Sequence, residues 1–121
     1  MKHKKEIAEV NAARPIFPNA KAINDRELWI FQVRNLFLAN VRNNSAKVDI
    51  TNDRYSNDWT ISLSYWMPER ELDLPNIELT RNITMPGHST IEELISKANY
   101  EIDRLQECGR VAGRALMRGQ A

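Results

Sequence analysis

NDRELWIFQVRNLFLANVR, residues 24–42, decides how the rest of the chain is read. Wound at 100° per residue, it places Trp29, Ile30, Val33, Leu36, Phe37 and Val41 in one broad apolar arc. Leu28, Phe31, Leu38 and Ala39 make a second, narrower arc across the axis. A helix with one apolar stripe covers a core, whereas one with two arcs has neighbours on both sides. The segment therefore reads as a central helix, packed along both flanks. Asn24 followed by Glu27 is a capping-box-like start, Asp25 suits the positive end of the dipole, and Arg42-Asn43-Asn44 supplies the stop.

Upstream, residues 1–23 read as an N-terminal arm, and residues 24–121 as one α+β domain. Lys4 to Ala13 has short-helix character, with Ile7 and Val10 as its sizeable apolar contacts, so its order depends on docking. Arg14-Pro15-Ile16-Phe17-Pro18 ends that helix, because the residue before each proline is pushed out of the helical region. Ile16 and Phe17 then read as anchors laid on the narrower arc of the central helix.

Downstream come three strand signals. Lys47 to Thr51 alternates, with Val48 and Ile50 on one face, and Asn52 to Asn57 is a polar turn. In Trp59 to Trp66, the clearest strand, Trp59, Ile61, Leu63 and Tyr65 face one way. Thr60, Ser62, Ser64 and Trp66 face the other. Ile77 to Met85 carries Ile77, Leu79, Ile83 and Met85 in register, with Arg81 out of place among them. A regular strand would bury that guanidinium without an acid from its own face, so a bulge turning it outward is the cheaper expectation. Short connections favour an antiparallel meander with one covered face.

Pro86-Gly87-His88 turns the chain, and Ser89 with Glu92 forms a capping box for the last helix. Ile91, Leu94, Ile95, Ala98, Ile102, Leu105, Gly109, Ala112, Gly113 and Leu116 fall within about 100° of one another at the helical period. One helix from about Thr90 to Arg118 follows, despite a cost of about 1 kcal/mol per interior glycine. It would be roughly 40 Å long, against about 27 Å for an eight-residue strand, so its last turns overhang the sheet. There Gly109, Ala112, Gly113 and Leu116 form an oligomer or helix-packing face, met either by the N-terminal segment or by a second copy in a homodimer.

The fold class is thus α+β: a three-stranded antiparallel sheet with helices on one face, in the order (α)-α-β-β-β-α, ending in a long helix. The helix, three strands, helix order of Asn24 to about Glu107 resembles that of double-stranded-RNA-binding domains, by topology alone. That family implies a lysine cluster opening its second helix and a Gly-Pro-x-His loop between its first strands. Here the helix opens Ser89-Thr90-Ile91-Glu92-Glu93 and the loop is Asn52 to Asn57, so the RNA-contacting function does not carry over.

Composition narrows the function. With 121 residues, 42% hydrophobic and 27% charged, the chain suits a small soluble protein with a real core. A net charge of +1 provides no global field toward nucleic acid or membrane. The lone Cys108 excludes an internal disulfide, and no apolar run approaches the ~20 residues of a membrane span. A cytoplasmic location is the expectation. Two histidines, His3 and His88, and one cysteine lie at no metal-ligand spacing; no phosphate-cradling glycine loop or catalytic constellation is legible. No cofactor, metal or catalytic residue is expected.

What remains is binding. Trp66 and Tyr55, beside Thr60, Ser62 and Ser64 on the wet face of the sheet, form the candidate protein-binding patch, tryptophan being a frequent interface anchor. The competing reading has the Pro68 to Pro75 connection covering Trp66. Arg110, Arg114 and Arg118 form a stripe on the last helix that suits phosphate. Acids leading and bases trailing on that helix is equally what its dipole prefers. The expected function is a small cytoplasmic non-enzymatic binding protein (an adaptor, inhibitor or accessory factor) working through contact with another protein. Nucleic-acid association through the arginine stripe is the alternative.

Overall fold

The computed structural model describes residues 2–14, 23–42, 46–67 and 77–119, with side chains described for 2–14, 25–42, 46–65 and 79–111. Its helices are α1 (Lys4–Ala12), α2 (Ile23–Asn40) and α3 (Ile91–Gly119); its strands are β1 (Ala46–Asn52), β2 (Trp59–Met67) and β3 (Ile77–Met85). The strands form one antiparallel sheet in the order β1-β2-β3. The architecture is α+β, in the order α-α-β-β-β-α with a long C-terminal helix. No helix among the described residues is long and apolar enough to cross a membrane.

Both long helices lie on one face of the sheet. Alternation in β2 sends Trp59, Ile61 and Leu63 inward, where Val33 and Phe37 of α2 and Ile91, Leu94, Ile95, Ala98 and Ile102 of α3 meet them. Trp29 and Trp59 pack with ring centroids 5.6 Å apart at a 52° tilt, joining the wide arc of α2 to the middle strand.

The short N-terminal helix is docked. Ile7 of α1 is buried in the same core, and the Trp29 indole N–H donates to the Val10 carbonyl at 2.9 Å. Asn11 then ties α1 to the start of α3: its Oδ1 accepts from the Ile91 amide at 3.0 Å and its Nδ2 donates to Glu92 Oε1 at 2.6 Å. An amide side chain from one helix thereby takes up an orphan N–H of another. Glu92 is engaged there, and the capping box of α3 is formed one residue later than the sequence suggested. Glu93 Oε1 accepts from the Thr90 amide at 2.9 Å, and Thr90 Oγ1 accepts from the Glu93 amide at 3.2 Å. These bonds to Thr90 hold the Glu93 carboxyl below its ordinary pKa. Ser89 is buried, its amide donating to the Pro86 carbonyl and its own carbonyl accepting from Arg14 Nη2 at 2.5 Å.

The two turns at one end of the sheet pack on each other. Asp53 Oδ1 accepts from the amides of Tyr55 and Ser56, which shapes the β1–β2 turn and lowers the Asp53 pKa. Arg26, buried at the start of α2, donates to Asn52 Oδ1 and the Asp53 carbonyl. Asn57 closes the turn with φ of 63°, a left-handed conformation that asparagine tolerates. Against it lies Gly87, where a Cβ would sit 2.3 Å from the Asn57 carbonyl oxygen. Glycine is needed there for close approach.

Arg81 corrects the expected bulge. Register is continuous from Trp59↔Met85 to Met67↔Ile77, with Leu63 opposite Arg81. The missing acid comes from the helix above: Arg81 Nε lies 2.7 Å from Glu101 Oε2, and Lys97 Nζ lies 3.3 Å from Oε1. Glu101 is 1% exposed, whereas Arg81 is about half in water at 49%. The Nε–H is not aligned on Oε2, so this close contact is an ion pair and not a formed hydrogen bond.

Candidate functional site

Among the described residues the central helix is covered on one flank. Its wide arc is buried as the periodicity requires, with Trp29, Val33, Leu36, Phe37 and Val41 all in the core. In the narrower arc Leu38 packs partly against the core, but Leu28 is 58% and Phe31 57% exposed. α1 meets α2 at Trp29, on the wide arc, not the narrow one. The expectation of cover over both arcs is therefore corrected at Leu28 and Phe31. The anchors assigned to that cover, Ile16 and Phe17, lie outside the described residues.

Leu28 and Phe31 are three apart and so share one helical face. Asn35 continues that face at the next turn, with Gln32 and Ala39 beside it, all exposed. Glu27, exposed on the same side, is 3.5 Å from Arg26 Nη1. The result is an apolar pair bordered by the charged Asp25, Glu27 and Arg34 and by the uncharged Gln32 and Asn35, on a helix whose opposite side is fixed in the core. Sequence reasoning grouped these residues but assigned them to the interior. Their exposure has no signature in the pattern, because periodicity reports which positions align and not what lies over them.

The patch expected on the wet sheet face is not one site. Tyr55 is fully presented, 89% exposed at the tip of the β1–β2 turn. β2 begins beside that turn at Trp59, and Trp66 is seven residues further along, about 23 Å away at 3.3 Å per residue. The two aromatic positions thus belong to opposite ends of the sheet, and the corner expected to combine them does not exist. The Trp66 side chain and the 68–75 connection lie outside the described residues. Thr60, Ser62 and Ser64 are half-buried in the middle strand. Ser62 and Ser64 line a shallow open concavity with Lys47, Asp49, Thr80 and Asn82.

On α3, Arg110 is engaged by Glu107 at 2.7 Å, which reduces the charge it presents. The side chains of Arg114 and Arg118, like those of Ala112, Gly113 and Leu116, lie outside the described residues; Gly109 is buried. Further up, Tyr100 is exposed but flanked by cations, with Lys97 5.6 Å and Arg104 5.8 Å from its ring centre. His88 is exposed beside the buried Ser89, and Cys108 is an exposed free thiol. Among the described residues no three His, Cys, Asp or Glu side chains gather as a metal site would require.

Sequence reasoning also missed Glu101. At the helical period it falls about 20° from Leu94, seven residues earlier, which puts it on the border of the buried stripe. That position, read together with the stranded Arg81, was the available signal.

Comparison of the chain with protein-family models, curated proteins and solved structures gave no significant match.

Proposed function

We propose that this is a non-enzymatic cytoplasmic binding protein that acts by contacting another protein, and that its docking face is the outward side of α2. The observation that carries this reading is the exposure of Leu28 and Phe31, at 58% and 57%, on a helix anchored from behind. Two large apolar side chains one turn apart are the spacing by which a helix seats in an apolar groove. A rigid presenting helix also keeps the ordering cost of binding low.

Affinity capture from native lysate, with and without nuclease, tests this. Wild type should retain a partner after nuclease treatment, and the Leu28→Asp/Phe31→Asp variant should lose it while keeping its circular dichroism and melting transition. A Tyr100→Ser control should keep the partner. Capture unaffected by the Leu28/Phe31 substitutions would refute the docking face, and capture lost on nuclease treatment would refute the protein-partner reading.

A further inference from the structure

The sheet's first strand has an outer edge, and the way its backbone groups are occupied is informative. The Asp53 amide donates to the Asp58 carbonyl at 2.9 Å, which fixes the hydrogen-bonding phase of the β1–β2 ladder. With partners pairing as Asn52↔Trp59 and Ile50↔Ile61, Lys47, Asp49 and Thr51 direct their backbone groups toward β2. Ala46, Val48 and Ile50 direct theirs outward. Among the described residues no strand pairs with that edge. Such an edge is a template for strand addition.

The middle of the edge is closed from within. The outward amide of Ile50 donates to Asp49 Oδ1 at 2.8 Å, and the same oxygen receives Arg34 Nε at 3.0 Å. Arg34 belongs to α2, on the covered face, and so reaches round the strand to hold the carboxylate over the edge. An acid on the open face, a guanidinium from behind and a satisfied outward N–H together form a latch.

We infer that the Arg34–Asp49 latch keeps the edge of β1 closed, and that the strand it excludes is β1 of a second copy. The occupant follows from the phase and the charges. Antiparallel pairing about Val48 sets Val48 opposite Val48, and Ala46 opposite Ile50, so all the outward backbone groups meet. The same register places Lys47 opposite Asp49 of the other copy, twice, by symmetry. Release of Asp49 from Arg34 therefore lets the carboxylate swing off the Ile50 amide toward Lys47 of the other copy, which returns that N–H to the ladder. Arg34 lies one turn from Phe31 and so borders the Leu28/Phe31 face, but Asp49, Lys47 and the outward backbone of β1 belong to the sheet, and the inference does not depend on the function proposed for that face.

Sedimentation equilibrium of the purified full chain tests the latch without any partner protein. Arg34→Ala should self-associate up to about fivefold more tightly than wild type, the upper end of what one exposed ion pair contributes. Adding Lys47→Asp to it, which sets acid against acid, should abolish the gain. The charge swap Lys47→Asp/Asp49→Lys in the Arg34→Ala background should restore it. Arg34 and Asp49 are each about half exposed, so these changes leave the core intact, and Arg34→Gln provides a second route to the open latch. Equal association of wild type and both Arg34 variants, or a gain indifferent to Lys47→Asp, would overturn the inference.

Discussion

Substituting Arg81→Leu tests the ion pair that bolts α3 to the sheet. Glu101 is 1% exposed and sits between Arg81 at 2.7 Å and Lys97 at 3.3 Å. Removing one member of a buried pair costs about 3–5 kcal/mol, because the other charge stays out of water uncompensated. Lys97 remains to take part of that load, which brings the expected loss to about 2–3 kcal/mol. The loss belongs to Glu101, since Arg81 itself is 49% exposed and would be released to solvent at little cost. The complementary change, Glu101→Leu, should therefore cost no more than about 1 kcal/mol, and the double variant should come within about 1 kcal/mol of wild type. Urea titration of the four proteins measures this cycle, with equal m-values showing that the unfolded reference is unchanged. Additive single effects, or an Arg81→Leu cost below about 1 kcal/mol, would refute the burial of an ion-paired Glu101.

Other substitutions test the packing separately. Phe37→Ala should destabilise by about 3–5 kcal/mol, and Phe31→Ala, six residues earlier on the same helix, by no more than about 0.5 kcal/mol in chemical denaturation. Asn11→Ala removes the acceptor of the Ile91 amide and the tie to Glu92, and should cost about 1 kcal/mol, with increased amide exchange at Ile7 and Val10. Gly87→Ala should cost about 2 kcal/mol and shift the amide resonances of residues 53–58, because its methyl would enter the Asn57 carbonyl. Glu93 has a pKa lowered in the folded state by its bonds to Thr90. Its contribution is complete above the ordinary glutamate range and lost as pH falls through the folded value. Glu93→Gln should flatten that part of the acid limb in thermal melts while preserving the helix.

Most of the architecture was legible because it rests on repetition. The α3 stripe runs through Gly109 to Leu116 without a break, and the helix observed, Ile91–Gly119, matches the span from Thr90 to Arg118 almost residue for residue. The alternation of Trp59 to Tyr65 likewise named the inward face of β2. What escaped was decided by contacts between distant segments. Ser89/Glu92 and Thr90/Glu93 are equivalent as sequence, and Asn11 and Arg14, more than seventy residues away, settle which pair caps the helix. Arg81 looked anomalous only until Glu101 was set above it. The candidate site was the least legible, because a helix records its apolar positions in sequence and not which of them are covered. Leu28 and Phe31 carry the same pattern signal as Phe37 and end in water.

Covalent footprinting with a carbene reagent, read residue by residue, tests the docking face most directly. In the purified protein Phe31 and Leu28 should label strongly while Phe37 and Trp59 stay silent, and recovery in complex with the captured partner should suppress labelling at Phe31 and Leu28 but not at Tyr55. Phe31 as unreactive as Phe37 in the isolated chain, or labelled equally with the partner bound, would contradict the claim that the outward side of α2 is the surface this protein uses.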